Sequence, residues 1–78
     1  MVERSILLID DEEIILKSMN NILAQEGYKV TLADSGEKGL GLFEKGEYHL
    51  VITDLVMSGS DGINVIKQVK QTRPETMV

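Results

Sequence analysis

Leu50-Val51-Ile52-Thr53-Asp54-Leu55-Val56-Met57 is the stretch on which the reading of this chain turns. Leu50 to Ile52 form a short apolar, partly β-branched run, which suits a strand buried on both faces of a parallel sheet. Asp54 stands directly at its end. In open α/β sheets ligands bind beyond the carboxyl ends of the strands, so an acid there faces a crevice and not the core. Taken alone, Asp54 also reads as an ordinary turn residue. A second apolar run with acids at its end, Ile6-Leu7-Leu8-Ile9-Asp10-Asp11, gives the pattern its weight.

Working outward, Ser5 to Ile9 reads as a first strand. Ile15, Leu16, Met19, Ile22 and Leu23 then recur at helical spacing up to Gly27, which fits the position just past a helix end. Asp11 is placed to cap that helix, with Glu12 and Glu13 favourably set against its dipole. Asp10 has no such explanation, and it adds a like charge that a bound cation would offset. Tyr28 to Ala33 alternates and is rich in β-formers, as an edge strand would be. Ser35 is a candidate N-cap for a helix from Glu37 to Lys45, weakened by Gly39 and Gly41 at roughly 1 kcal/mol each. Gly46-Glu47 closes it. His49, the single histidine, precedes the third strand (His49 to Thr53) with no second ligand nearby and reads as a solvated or hydrogen-bonded residue. Ser58 to Gly62 is a turn by composition. Asp61 can cap a third helix carrying Ile63, Ile66 and Val69, which ends near Thr72 ahead of Pro74. Thr76-Met77-Val78 looks like the start of a fourth strand.

The β-α-β-α-β-α alternation predicts a parallel sheet flanked by helices. With 78 residues there is room for one domain, spanning 1–78, which buries only roughly 60–65% of its unfolded surface. The net charge of −5 argues against non-specific nucleic-acid binding, and the absence of cysteine excludes a disulfide framework and a thiolate metal site. Apolar runs reach only four residues, well short of a membrane span, and no signal-peptide pattern is present, so a cytoplasmic protein is the default expectation.

If the strand order is 2-1-3, the first and third strands are neighbours and Asp10, Asp11 and Asp54 converge at one end of them. Three carboxylates in one crevice call for a cation, and an all-oxygen donor set suits Mg²⁺. Asp54 is also a candidate nucleophile toward a phosphoryl group.

These motifs, Ile6-Leu7-Leu8-Ile9-Asp10-Asp11-Glu12 with Val51-Ile52-Thr53-Asp54-Leu55-Val56-Met57 and Asp61-Gly62, resemble the receiver domain of two-component response regulators over the whole chain. The resemblance implies an α/β, flavodoxin-like three-layer fold, ending before or within its fourth strand. It implies that Asp54 accepts a phosphoryl group from a sensor histidine kinase or phosphotransfer protein. It further implies that Asp11, Asp54 and the backbone carbonyl of Val56 bind Mg²⁺ directly, with Asp10 acting through water. External substrate chemistry is not expected of such a domain. Two departures stand out. Ser58 occupies the place where the family usually has Pro, and the family pattern continues beyond the length of this chain with a switch Ser or Thr and a Lys. The reading is therefore of a domain incomplete at its C-terminus, with an exposed third-strand edge through which the chain would self-associate, most simply as a homodimer.

Two other readings compete. An aspartyl phosphatase of the haloacid-dehalogenase type wants a second acid two residues after the nucleophile, where Val56 stands. A truncated or chimeric α/β scaffold, its acids mere relics and its phosphorelay signalling lost, is the alternative that remains.

Overall fold

In the computed structural model, residues 4–54, 56–57 and 60–73 are described. Three strands, β1 (Ser5–Ile9), β2 (Lys29–Ala33) and β3 (Leu50–Thr53), form a parallel sheet in the order β2-β1-β3. Ile6 lies opposite Val30 on one side and Leu50 on the other, and Ile9 opposite Ala33 and Thr53. The helices are α1 (Glu13–Gln25), α2 (Gly36–Lys45) and α3 (Gly62–Thr72). Between β3 and α3, β4 (Val56–Met57) pairs antiparallel with β5 (Ser60–Asp61). The expectation of a plain turn over Ser58 to Gly62 is thus corrected at its flanks. The start of a fourth strand at Thr76–Val78 lies outside the described residues.

Side chains alternate across a strand, and this divides the core. Leu7, Ile9 and Val51 face α2 and α3 and form one buried cluster with Ala33, Phe43, Val65 and Val69. Ile6 and Leu8 point to the opposite face and are also buried, under α1 with its buried Leu16. Two helices on one face and one on the other give the three layers. The central β1 is buried throughout its apolar length, whereas β3 is not the doubly buried strand the sequence suggested. Val51 is buried, but Leu50, Ile52 and Thr53 are half-exposed, since β3 pairs only with β1 among the described residues.

The helix ends have identifiable chemistry. The cap of α1 is Glu12 and not Asp11, and no side chain caps it. Instead the Glu12 amide donates to Asp10 Oδ1 at 2.9 Å, two residues back. Glu13 in the first turn pairs with Lys17 at 3.1 Å, an exposed bridge of small value. Ser35 caps α2 as expected, its Oγ accepting from the Lys38 amide at 3.1 Å. Gly27 ends α1 with φ +92°, where any side chain would be strained. At the far end of α3, Arg73 Nη1 donates to Phe43 O at 2.8 Å and Gly46 O at 2.7 Å, both at the C-terminus of α2. Its guanidinium lies 4.9 Å from the Phe43 ring centroid.

Gly39 is buried for a reason that helix propensity does not anticipate. A Cβ there would overlap the Ile9 side chain, coming within 2.6 Å of Cγ1 and still closer to Cδ1, so the glycine lets α2 approach β1. Ile9 is itself buried and has nowhere to retreat. Gly39→Ala should therefore destabilise the chain by about 1–3 kcal/mol, although alanine is the better helix former. Gly41, with open space around it, should gain from the same change. Urea midpoints of the two variants check the contrast, and equal shifts would refute the close approach.

Candidate functional site

The carboxyl ends of β1 and β3 release their chains one residue beyond the ladder. The Asp10 amide donates to Ala33 O at 3.1 Å, tying the exit of β1 to β2. The Asp54 amide donates to Ile9 O at 3.2 Å, tying the exit of β3 to β1. Two acids from distant parts of the chain thus leave the sheet side by side. Asp11 follows Asp10, and one carboxylate oxygen from each of Asp10, Asp11 and Asp54 lies within 4.8 Å of the others. Asp10 is buried, Asp54 half-buried and Asp11 exposed, so the cluster opens to solvent on the Asp11 side.

The sequence-derived triad is therefore assembled. Like charges this close repel, and a divalent cation would remove the repulsion. The donors are all carboxylate oxygens, which suit a hard cation of the Mg²⁺ class and not zinc or copper. The residues fit such an ion. Val56, whose carbonyl the resemblance adds to the ligand set, lies in β4 opposite Asp61. Leu55, Ser58 and Gly59 lie outside the described residues, and the side chain of Asp61, expected to cap α3, is likewise not described. His49 sits at the opposite end of the sheet. Its Nδ1 accepts from the Ser5 amide at 3.1 Å and its own amide donates to Ser5 O at 2.9 Å, as the hydrogen-bonded reading expects.

Two local contacts were not anticipated from sequence. One is the Asp10 carboxylate accepting from the Glu12 amide, which takes up one carboxylate oxygen. The signal was available, because Asp side chains often bond a backbone amide two residues on. The other is Thr53 Oγ1, which donates to Asp54 O at 3.1 Å. A hydroxyl residue directly before an acid at a strand end is the only hint of it.

The family model for the response regulator receiver domain matches residues 6–78. The transcriptional regulatory protein YkoG of Bacillus subtilis is 35% identical over 78 residues, covering 100% of this chain and 34% of the relative. The chain thus spans about a third of the length of that curated relative. Among solved structures, response regulator TrrA from Thermotoga maritima in complex with Mg(2+)-BeF superposes with a TM-score of 0.88 at 35% identity, covering 91% of this chain and 62% of that one. TrrA in complex with the histidine kinase ThkA gives a TM-score of 0.88 at 34% identity, covering 94% and 63%.

Proposed function

The chain belongs to the response regulator receiver domains, the receiving modules of two-component signalling, and we propose that Asp54 is its phosphoryl acceptor and that Asp10, Asp11 and Asp54 hold Mg²⁺. The observation that carries this reading is the convergence of the three carboxylates within 4.8 Å at the exits of β1 and β3. Asp11, Asp54 and the Val56 carbonyl are the direct ligands in this reading, and Asp10 acts through water. That role suits Asp10, which is buried and already accepts a backbone amide.

The reaction is transfer of a phosphoryl group to an Asp54 carboxylate oxygen. An O–P bond forms as the bond from phosphorus to a donor histidine nitrogen breaks, and the nitrogen keeps the electron pair. Bound Mg²⁺ would supply neutralisation of the charge on the phosphoryl oxygens. The chain's own work is to hold the acceptor in place beside the acids. The substrate is another protein's phosphohistidine and the product stays on Asp54, so the chain is a signalling acceptor and not an enzyme with external turnover.

The donor in this reading is a sensor histidine kinase or a phosphotransfer protein, consistent with a structural relative solved in complex with a histidine kinase. A cytoplasmic location goes with such a donor. No helix among the described residues is long and apolar enough to cross a membrane. Direct nucleic-acid binding by this chain is not part of the reading, given its net charge of −5. The alternative of a scaffold with relic acids is not favoured, because the three acids stand together in a chain that the receiver-domain family model matches over residues 6–78.

Titration with Mg²⁺ tests the site. Millimolar Mg²⁺ should raise the melting temperature of the chain, by an amount that follows RT ln(1 + [L]/Kd). Asp11→Asn should lose most of that response. Equal shifts in the two proteins would show that the acids do not act as one site.

The free side of β3 carries a second expectation. Among the described residues its outer edge has no strand beside it. An unpaired, half-apolar edge is a template for another chain, and the net negative charge slows association without satisfying the backbone groups. The 78-residue chain by itself should form a homodimer across β3. Sedimentation at several concentrations decides the matter, and a compact monomer at high micromolar concentration would reject it.

A further inference from the structure

We propose that Thr53 is a positioning residue for Asp54, acting through its hydroxyl on the Asp54 backbone carbonyl. The inference rests on the reading of Asp54 as acceptor and cation ligand, and adds the group that aims it. Asp54 stands where β3 leaves the sheet. Its amide is still held, donating to Ile9 O at 3.2 Å. Its carbonyl accepts from Thr53 Oγ1 at 3.1 Å in a part-buried setting. Backbone groups need partners when they are withdrawn from water, and the hydroxyl supplies one from the preceding residue.

The consequence lies in the geometry of a single residue. With its amide held on β1 and its carbonyl held by Thr53, Asp54 has its backbone restrained on both sides of Cα. The direction of a side chain follows from its backbone dihedrals, so the aim of the Asp54 carboxylate at Asp10 and Asp11 depends on both restraints. Thr53 is itself fixed. It lies opposite Ile9 in the ladder and on the same face of β3 as the buried Val51, and its branched Cβ limits χ1. Pre-aiming a ligand lowers the cost of binding, because less freedom remains to be lost when the ion arrives.

The bland account is that Thr53 is a good strand former whose hydroxyl bonds whatever is nearest. Both accounts allow Thr53→Val to change stability. Only positioning makes cation affinity follow the hydroxyl. The test uses the 78-residue chain as wild type, Thr53→Val and Thr53→Ser. MgCl₂ is titrated while the amide resonances of Asp10, Asp11 and Asp54 are followed in the folded species, so a smaller folded fraction does not enter the Kd.

Valine, nearly the same shape without the hydroxyl, should weaken Mg²⁺ binding about two- to ten-fold, the span of one net hydrogen bond. Serine should restore the wild-type affinity to within about two-fold of it. Equal binding by wild type and Thr53→Val overturns the inference alone. So does serine binding as weakly as valine, since branching and not the hydroxyl would then matter. A wild-type chain whose three Asp resonances ignore Mg²⁺ overturns the underlying cation reading, and this inference with it.

Discussion

Replacing Asp54 by Asn is expected to abolish phosphoryl uptake entirely, whatever the donor. An amide keeps the shape of the side chain but offers no anionic oxygen to attack phosphorus. The neighbouring acids cannot take over. Asp10 is buried and one of its oxygens is engaged by the Glu12 amide, so it is less accessible to a donor than the half-buried Asp54. Asp11 is exposed, but its neighbours in the chain run directly into α1 and its role in this reading is to hold the cation. Asp11→Asn should therefore slow labelling without moving it. The measurement is intact and peptide mass spectrometry after exposure to a small phosphodonor in Mg²⁺. One added phosphoryl group on Asp54 in wild type and in Asp11→Asn, and none in Asp54→Asn, is the expected pattern. Label on Asp10 or Asp61, or label that survives Asp54→Asn, would remove Asp54 from its role.

Much of this site was legible because it depends on backbone topology. Two apolar runs ending in acids are enough to place Asp10, Asp11 and Asp54 together, once parallel pairing puts the first run beside the third. Strand ends are set by the backbone ladder and not by side-chain packing. The strand order 2-1-3 and the edge position of β2 follow in the same way. The hydroxyl of Thr53 was not legible, because nothing in the sequence shows where a hydroxyl turns.

Helix faces were read less well, for a physical reason. In α1 the apolar residues Ile14, Ile15, Leu16, Met19, Ile22 and Leu23 cover more than one face. A single helix lying on the sheet buries only one strip, Leu16 with the half-buried Met19 and Leu23, while Ile14 and Ile22 stay 79% and 62% exposed. Ile15 and Ile22 share the helical spacing of Leu16, Met19 and Leu23, yet both are exposed. In α3 the apolar positions 63, 65, 66 and 69 fit two phases of the same period. Packing against α2 and β3 selects Val65 and Val69 and leaves Ile63 outside. Gly39 belongs to the same class of omission. Its value lies in the approach of α2 to Ile9, a tertiary distance that propensity does not contain.

The largest effect on folding should come from Phe43→Ala. Phe43 is the largest fully buried side chain, at 1% exposure, and it joins the cluster shared by the sheet and the two helices on one face. Its ring lies 6.4 Å from that of Tyr48, and the Arg73 guanidinium covers it at 4.9 Å. Truncation to alanine removes the apolar contacts and leaves a cavity, at a cost of about 3–5 kcal/mol. A chain of this size has roughly 4–12 kcal/mol of stability in all, so the variant should be partly or wholly unfolded at 25 °C. Arg73→Ala separates the contributions. It leaves the ring in the core while removing the stacked cation and the two bonds to Phe43 O and Gly46 O, and should cost less than the ring does. Ile14→Ala, at a position 79% exposed, should move the midpoint by no more than about 0.5 kcal/mol. Urea unfolding of the four proteins, followed by circular dichroism, ranks them. If Phe43→Ala unfolds within about 1 kcal/mol of wild type, well below the cavity range, the core does not centre on the junction of α2, α3 and the sheet.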